Sequence, residues 1–195
     1  MGAGKRESYA ERRARGAAVD DPAVVLEAAL RFLEARQRSV SEVRRRLSQA
    51  GYREDLVTAA LERLGDLGML DDRAFASAWV ESRDRARPRG ERALRQELRQ
   101  KGIDAETIGR TLADRRGPGG EEYPVALPPD EIAARRLLAR HAAALARVTD
   151  PRARRQRAYA LLARNGFASE IAAALAREAT AEPDDEPDNE PEARG

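Results

Sequence analysis

One pattern of apolar and polar positions occurs three times along the chain and predicts the same pair of helices each time. In each copy, two apolar residues four positions apart precede a glycine, and a second apolar pair with that spacing follows it. This spacing places each pair on one face of a helix, and the glycine ends the first helix in a left-handed conformation. The glycines are Gly51, Gly102 and Gly166, and the pairs that flank them are Val43/Leu47 and Val57/Leu61, Leu94/Leu98 and Ile108/Leu112, and Ala158/Leu162 and Ile171/Leu175.

A further helix is predicted before each copy, which makes nine helices in three groups. These additional helices start at Asp21-Pro22, after Asp71-Asp72 and near Asp130, because acids and proline favour the first positions of a helix. Ser39 and Glu42 also match a capping box. No stretch has the two-residue alternation of a β-strand. We therefore predict an all-α fold of three tandem three-helix repeats, stacked into an elongated, curved body.

Composition divides the chain into six segments. Proline and glycine mark the breaks between helical stretches, and a run of acids without apolar residues marks a disordered end. The predicted segments are a flexible basic arm at 1–20, repeat 1 at 21–70, repeat 2 at 71–115, a Gly/Pro-rich linker at 116–129, repeat 3 at 130–177 and an acidic tail at 178–195.

The net charge of +2 is distributed unevenly along the chain. Residues 1–19 carry a net charge of +3, and residues 20–177 carry 30 basic and 24 acidic side chains, a net charge of +6. Residues 178–195 carry a net charge of −7. A basic body with an acidic end is typical of a protein that contacts nucleic acid or screens its own charge.

Several classes of protein are excluded by composition. The chain has no cysteine, so it has neither a disulfide nor a thiolate metal site, which fits a reducing compartment. No apolar run approaches the roughly 18 residues that a membrane span needs. The N-terminus does not lead into the apolar core of a signal peptide. We expect a soluble, cytoplasmic protein that makes no membrane contact.

Enzymatic signatures are also missing. The single histidine, His141, lies in an Ala/Leu-rich helix without a second ligand or a catalytic partner nearby in sequence. The Gly117-Pro-Gly-Gly stretch lacks the strand and the Lys-Ser/Thr ending of a phosphate loop. Asp71-Asp72 is explained by helix capping. We expect no catalytic residue, no metal and no cofactor.

The candidate functional residues are basic side chains that recur on the second helix of each repeat. They could form a shared binding stripe, or they could be solvated faces whose charges pair locally, as Glu42 with Arg46 and Glu91 with Arg95. The start of the third such helix is basic as well, with Arg152, Arg154, Arg155 and Arg157. The candidates for partner binding are Arg44, Arg45, Arg46, Arg83, Arg85, Arg87, Arg89, Arg92, Arg95, Arg99 and Lys101.

Sequence-specific reading of DNA by a helix-turn-helix is disfavoured. That mode of binding brings the start of the second helix close to phosphates and base edges. Here those helices start with Glu54-Asp55, with Asp104 and Glu106, and with Glu170. These carboxylates stabilise their own helix dipoles and repel phosphate.

Particular residues resemble a known family. The segment from Leu64 to Val80 contains a Leu-Asp-Asp-x-x-Phe-Ala junction, and the segment Arg89–Ile103 follows it. Together with Arg38–Leu47 and Gly51-Tyr52, these segments resemble the RecX family of bacterial regulatory proteins. The resemblance covers about residues 24–177 and is weaker in the third repeat. The longer 116–129 segment and both charged ends depart from the family pattern.

The resemblance implies a non-enzymatic modulator of RecA, the recombinase that forms ATP-dependent filaments on single-stranded DNA. It implies that the chain lies in the filament groove and inhibits ATP hydrolysis, strand exchange and co-protease activity in recombination, repair and the SOS response. We expect the chain to be a monomer. Two alternatives stay open. One is a stand-alone protein that binds nucleic acid without sequence preference, and the other is a helical scaffold for a different partner.

Overall fold

The computed structural model describes residues 8–115 and 127–179, and every regular element in these ranges is an α-helix, as predicted. Ten helices are present in the described ranges, one more than predicted. They are α1 (Tyr9–Ala17), α2 (Pro22–Leu33), α3 (Val40–Ala50), α4 (Glu54–Asp66), α5 (Asp72–Ala86), α6 (Glu91–Gln100), α7 (Ala105–Ala113), α8 (Pro129–Ala146), α9 (Pro151–Arg164) and α10 (Ser169–Glu178).

The three predicted glycine turns are confirmed. Gly51, Gly102 and Gly166 have φ angles of 95°, 81° and 84°, in the left-handed region that side chains with a Cβ rarely adopt. The residue after each glycine donates its N–H to the carbonyl of the aligned leucine, which closes the helix end. These bonds are Tyr52 to Leu47 at 3.4 Å, Ile103 to Leu98 at 3.1 Å and Phe167 to Leu162 at 3.3 Å.

Each repeat has its own apolar cluster, built on the positions that the pattern predicted. The aligned leucines Leu47, Leu98 and Leu162 are at most 1% exposed, and the residues four positions before them are fully buried. Removing such side chains from water is the main favourable term in folding. The three clusters are centred on α2–α4, on α5–α7 and on α8–α10.

The chain divides into two compact units. Among the described residues, unit 1 contains 8–82 and 94–115, and unit 2 contains 83–93 and 127–179. The divisions fall inside α5 and α6, so the middle repeat contributes residues to both units. The two units are described separately below.

The predicted start signals form the expected caps. Ser39 and Glu42 make a reciprocal capping box at α3. The side chain of Asp21 accepts the N–H of Ala23 at 2.9 Å at the start of α2, where Pro22 occupies the first position. Asp150 caps α9 in the same way ahead of Pro151.

The prediction of a flexible arm at 1–20 is wrong for residues 9–17, which form α1. Its start is fixed by a capping box between Ser8 and Glu11. Its contact with α3 does not need an apolar stripe, because Gly16 is buried against the backbone of Ala50 and Gly51. The sequence signal was the Ser8-x-x-Glu11 spacing. Residues 1–7, most of the predicted linker and the acidic tail after 179 lie outside the described residues.

Candidate functional site

The second helices of the three repeats are α3, α6 and α9, which we call the cassette helices. Six of the eleven candidates lie on α3 or α6, two lie at the end of α5, and three lie outside the helices: Arg44, Arg45, Arg46, Arg92, Arg95 and Arg99; Arg83 and Arg85; and Arg87, Arg89 and Lys101. In each unit, the N-terminus of one cassette helix is held by residues from the following repeat. The first four N–H groups of a helix have no partner within the helix, so a buried N-terminus needs acceptors from elsewhere. The same two kinds of acceptor serve this purpose in both units.

In unit 1, the following repeat holds the start of α3. The Ser39 hydroxyl donates to the carbonyl oxygen of Lys101 at 2.6 Å, and the N–H of Val40 donates to Asp72 Oδ1 at 2.9 Å. The Gly102 turn lies against Ser41 so closely that a Cβ on the glycine would overlap the serine side chain.

In unit 2, equivalent residues hold the start of α6. The N–H of Gly90 donates to the carbonyl oxygen of Asn165 at 3.0 Å. The N–H of Glu91 donates to the Asp130 carboxylate, with distances of 3.1 and 3.0 Å to its two oxygens. A Cβ on Gly90 would overlap the backbone of Gly166 and its successor.

These contacts form a junction of two parts that recurs at equivalent positions. The carbonyl before a glycine turn, at the negative end of one helix, faces the positive end of another. An acid near the start of the next repeat accepts the first N–H of the held helix. In each unit, therefore, the junction fixes the direction of a cassette helix and the faces on which its arginines lie.

The two acids of Asp71-Asp72 have different partners. Asp71 caps its own helix by accepting the N–H groups of Arg73 and Ala74 at 2.8 and 3.0 Å. Asp72 instead caps α3 through Val40. Burial raises the pKa of Asp72, the N–H of Val40 opposes that change, and the charges of Asp104 and Asp71 add to it. The prediction that both acids act as caps is correct, but one of them caps the preceding repeat.

Three of the eleven candidate residues are held closely by partners within their own unit, and a fourth, the exposed Arg92, donates a longer bond of 3.5 Å to the carbonyl oxygen of Ala163. Arg44 forms an ion pair with Glu54, and Arg89 donates to Asn165 Oδ1 at 2.6 Å. Lys101 lies 2.7 Å from Glu42 Oε1, and its Nζ lies 4.8 Å from the centre of the Trp79 ring. We assign these three side chains to the architecture of the repeats.

The Glu42 carboxylate, which pairs with Lys101, is shielded from solvent, with 7% of its side chain exposed. Burial on its own would raise its pKa, but the bonds from Lys101 and Ser39 and the charges of Lys101 and Arg36 outweigh burial and lower the pKa. Arg36 lies 3.7 Å away. Glu42 therefore pairs with Lys101 and Arg36. The predicted pair with Arg46 is wrong, because the carboxylate binds these two residues instead.

Six of the candidate arginines remain exposed and form no ion pair with a carboxylate of the described residues. Half-buried Arg83 and Arg95 complete the candidate set. A guanidinium carries five donors in a planar fork that matches phosphate and carboxylate oxygens. Each unit thus presents basic groups that can bind an anionic partner. The exposed residues are Arg45, Arg46 and Arg99 in unit 1 and Arg85, Arg87 and Arg92 in unit 2.

The acids at the start of α4 and α7 are engaged locally. Asp55 pairs with Arg53 at 2.5 Å, and Asp104 accepts the N–H of Thr107 at 2.8 Å. The bonds of Thr107 lower the pKa of Asp104, so its negative charge is retained at this helix end. This arrangement supports the argument against phosphate binding at those helix starts.

Sequence reasoning missed the basic residues of α1. Arg12 and Arg15 lie with Arg46 along a cavity of about 540 Å³ in unit 1, together with Tyr9 and Tyr52. The capping-box spacing at Ser8 could have indicated that this segment is a helix.

Other chemical possibilities receive no support within the described ranges. No group of three or more His, Cys, Asp or Glu side chains there could hold a metal ion. His141 lies on the exposed side of α8. Among the described helices, none has the length and apolar character needed to cross a membrane.

Family models match two of the repeats. The first three-helix domain of RecX matches residues 26–64, and the second three-helix domain matches residues 71–112. Two solved structures share the fold: a crystal structure of regulatory protein RecX, with a TM-score of 0.66, 23% identity and coverage of 80% of this chain and 73% of that one, and RecX from Lactobacillus salivarius, with a TM-score of 0.63, 21% identity and coverage of 82% and 97%.

Curated relatives named "Regulatory protein RecX" match over two different spans. The protein of Mycobacterium sp. (strain KMS) is 48% identical over 85 residues, which are 44% of this chain and 46% of the relative. The chain therefore spans about half the length of the mycobacterial relatives that it matches. The protein of Thermobifida fusca is 34% identical over 149 residues, 76% of this chain. Since that match extends over 75% of the Thermobifida fusca protein, the chain belongs to the RecX family.

Proposed function

We propose that the chain regulates RecA by binding the RecA filament on single-stranded DNA and mainly inhibiting its activities. The observation that carries this proposal is the match over 149 residues to a relative named as a regulatory protein of the RecX family. The inhibited activities would be ATP hydrolysis, strand exchange and co-protease activity, in recombination, DNA repair and SOS control.

The exposed arginines of the cassette helices support this proposal. A nucleoprotein filament presents phosphates and acidic side chains, and both are bound well by guanidinium groups. Arg45 and Arg99 in unit 1 have no carboxylate of the described residues within ion-pair distance, so no internal pair has to be broken before they bind. The junction at Ser39 and Lys101 already orders the helices that carry them.

Regulation through direct reading of a DNA sequence is less well supported. The helix that follows each glycine turn starts with a carboxylate, and Asp104 is already engaged as a cap. Binding to a filament needs contacts to its protein and backbone but none to base edges. Exposed arginines can make such contacts with a filament without reading a base sequence.

Reversing the charge of Arg45 and Arg99 together is expected to weaken filament binding about tenfold or more. A hydrogen bond to a charged group contributes roughly 1.5–3 kcal/mol, and the introduced glutamates add repulsion from an anionic filament. Affinity is measured by fluorescence anisotropy on filaments assembled with a slowly hydrolysed ATP analogue. Circular dichroism checks that the helical content of the variant is unchanged.

The matched control reverses Arg63 and Arg147, two exposed residues outside the cassette helices. Both double variants have the same net charge, so a general electrostatic effect would weaken both alike. We expect the control to lose less than about threefold in affinity, since exposed charges that make no direct contact with the partner are largely screened at physiological salt. Equal affinity of the two double variants would show that Arg45 and Arg99 on the cassette helices do not contact the filament.

A further inference from the structure

Unit 1 contains a basic cavity that is lined in part by α1, a helix that lies outside the residues matched by the family models. The cavity has a volume of about 540 Å³ and lies among α1, α2 and α3. Its basic lining residues are Arg12, Arg15 and Arg46, and its aromatic lining residues are Tyr9 and Tyr52. Among the described residues, no aspartate or glutamate belongs to its lining.

A second cavity continues the same basic and aromatic character. It has a volume of about 300 Å³ and shares Arg46 and Tyr52 with the first. It adds Phe32, whose ring is covered by the guanidinium of Arg38, with 4.2 Å from Cζ to the ring centre. Arg46 lies 5.9 Å from the same ring. Both cavities thus combine aromatic rings with guanidinium groups.

Part of the lining of the larger cavity is exposed apolar surface. Tyr9 is 57% exposed and Val24 is 42% exposed, and both lie among the lining residues. A single exposed apolar side chain needs no explanation. Here, however, an exposed aromatic ring stands beside three arginines in a concave site, which is the usual composition of a binding site for unpaired bases.

The basic wall is built into the fold. Gly16 approaches the backbone of Ala50 and Gly51 so closely that a Cβ would overlap it. The capping box between Ser8 and Glu11 fixes the first turn of α1, which places Tyr9 at the first helical position. Arg12 and Arg15 are therefore held on an ordered helix, and the chain does not have to order a flexible segment when a ligand binds.

We propose that this cavity binds a single-stranded nucleic acid, with its phosphates on Arg12, Arg15 and Arg46 and one unpaired base stacked on Tyr9. Phosphate oxygens match the guanidinium forks, and a base offers the flat face that an exposed tyrosine ring can stack on. A duplex hides those faces inside its stack, so it would use the arginines only. An acidic peptide would also use the arginines but not the ring.

The proposal does not depend on RecA, because it concerns the bare strand. Binding of the full chain to a fluorescein-labelled 20-nucleotide oligo(dT) is measured by anisotropy without RecA. Tyr9→Ala is expected to weaken binding about fivefold or more, because stacking contributes roughly 1–3 kcal/mol per base. Tyr9→Phe keeps the ring and should bind within about twofold of the parent.

A second variant tests the phosphate contacts. Contact with three phosphates of a single strand gives a slope of about −2 for log affinity against log salt. Arg12→Glu with Arg46→Glu should reduce the magnitude of that slope by about 1.4, whereas the control pair Arg63→Glu with Arg147→Glu should leave it unchanged. All variants are compared with the parent by circular dichroism.

Three results would overturn the proposal. The first is unchanged oligo(dT) binding in both the Tyr9→Ala and the Arg12/Arg46 variants. The second is that the protein binds a duplex as tightly as the single strand and that Tyr9→Ala weakens binding no more than Tyr9→Phe does. That result would show that no base stacks on Tyr9. The third is displacement of the strand by poly-glutamate at equal charge concentration, which would identify an acidic peptide as the ligand.

Discussion

Replacing Gly90 with alanine is expected to destabilise unit 2 by about 2–4 kcal/mol. The added Cβ would overlap the carbonyl of Gly166 and the amide nitrogen of Phe167, which are backbone atoms and cannot rotate away. Overpacking of this kind costs roughly 1–3 kcal/mol, and loss of the bond from Gly90 to Asn165 adds about 1 kcal/mol. Gly90 does not have a positive φ, so alanine causes no backbone strain there. The loss of stability therefore measures the contact between Gly90 and the Gly166 turn. The measurement is urea unfolding followed by circular dichroism.

Gly109 provides the matched control for that substitution. It lies inside α7, a Cβ there would meet nothing within 4 Å, and its φ is not positive. Gly109→Ala is expected to stabilise unit 1 by about 0.5–1 kcal/mol, because alanine loses less backbone entropy in a helix. The same chemical change thus has opposite effects at the two sites. A stability of Gly90→Ala within about 0.5 kcal/mol of the parent would show that the junction tolerates a methyl group.

Replacing Lys101 with methionine is expected to destabilise unit 1 by about 2–4 kcal/mol at neutral pH. Methionine keeps the apolar stem but leaves the Glu42 carboxylate, 7% exposed, with Arg36 as its remaining basic partner at 3.7 Å. Removing one partner of a buried ion pair typically costs 3–5 kcal/mol, and Lys101 is 21% exposed, which lowers the figure. The lost contact between Lys101 and the Trp79 ring contributes about 0.5–1 kcal/mol of the total.

The pH dependence identifies the cause of that loss. In the parent, the folded-state pKa of Glu42 is lowered below its ordinary value of 4.5. Its stabilising contribution is therefore present above that pH and is lost as the pH falls through the folded-state pKa. Without the hydrogen bond and the charge of Lys101, the pKa of Glu42 is higher than in the parent. The difference in stability between parent and variant should therefore shrink as the pH falls through about 4.5.

An exposed ion pair serves as the control for Lys101→Met. Arg110 pairs with Glu106 in α7, and the two side chains are 64% and 72% exposed. Arg110→Met should change the free energy of unfolding by less than about 0.5 kcal/mol at any pH, because exposed pairs contribute little. If the effect of Lys101→Met were as small, or if it grew toward acid, the lowered pKa of Glu42 would not come from Lys101.

The parts of the fold that could be predicted from sequence are those that depend on local residues. The turns at Gly51, Gly102 and Gly166 follow from a helix that ends at glycine, and the buried leucines follow from a four-residue spacing. The caps of α1 and α3 follow from a serine three residues before a glutamate. The α1 box was overlooked because the segment lacks an apolar stripe, and its packing through Gly16 has no counterpart in that pattern.

The junctions could not be predicted because their two halves are distant in sequence. Asp72 is 32 residues from Val40, and Asp130 is 39 residues from Glu91. In the sequence, each acid looks like a cap for the helix beside it. Only the packing of one repeat on the next shows which N–H group it accepts.

The candidate site was predicted at the level of helices but not of single side chains. The sequence places many arginines on the cassette helices, yet it cannot separate those that bind inward from those that are exposed. Lys101 and Arg89 have partners 59 and 76 residues away. From sequence alone, the exposed Arg45 and Arg99 cannot be distinguished from Lys101 and Arg89, because only the fold brings the partners of the latter two close.

Steady-state ATP hydrolysis by RecA on single-stranded DNA, measured while this protein is titrated in, bears most directly on the proposed regulation of RecA. We predict a dose-dependent fall in hydrolysis that saturates, with the Arg45→Glu/Arg99→Glu variant needing about ten times more protein for the same effect. The Arg63→Glu/Arg147→Glu control should match the parent within about threefold. ATP hydrolysis that stays unchanged when the protein equals RecA in concentration would contradict the proposed function.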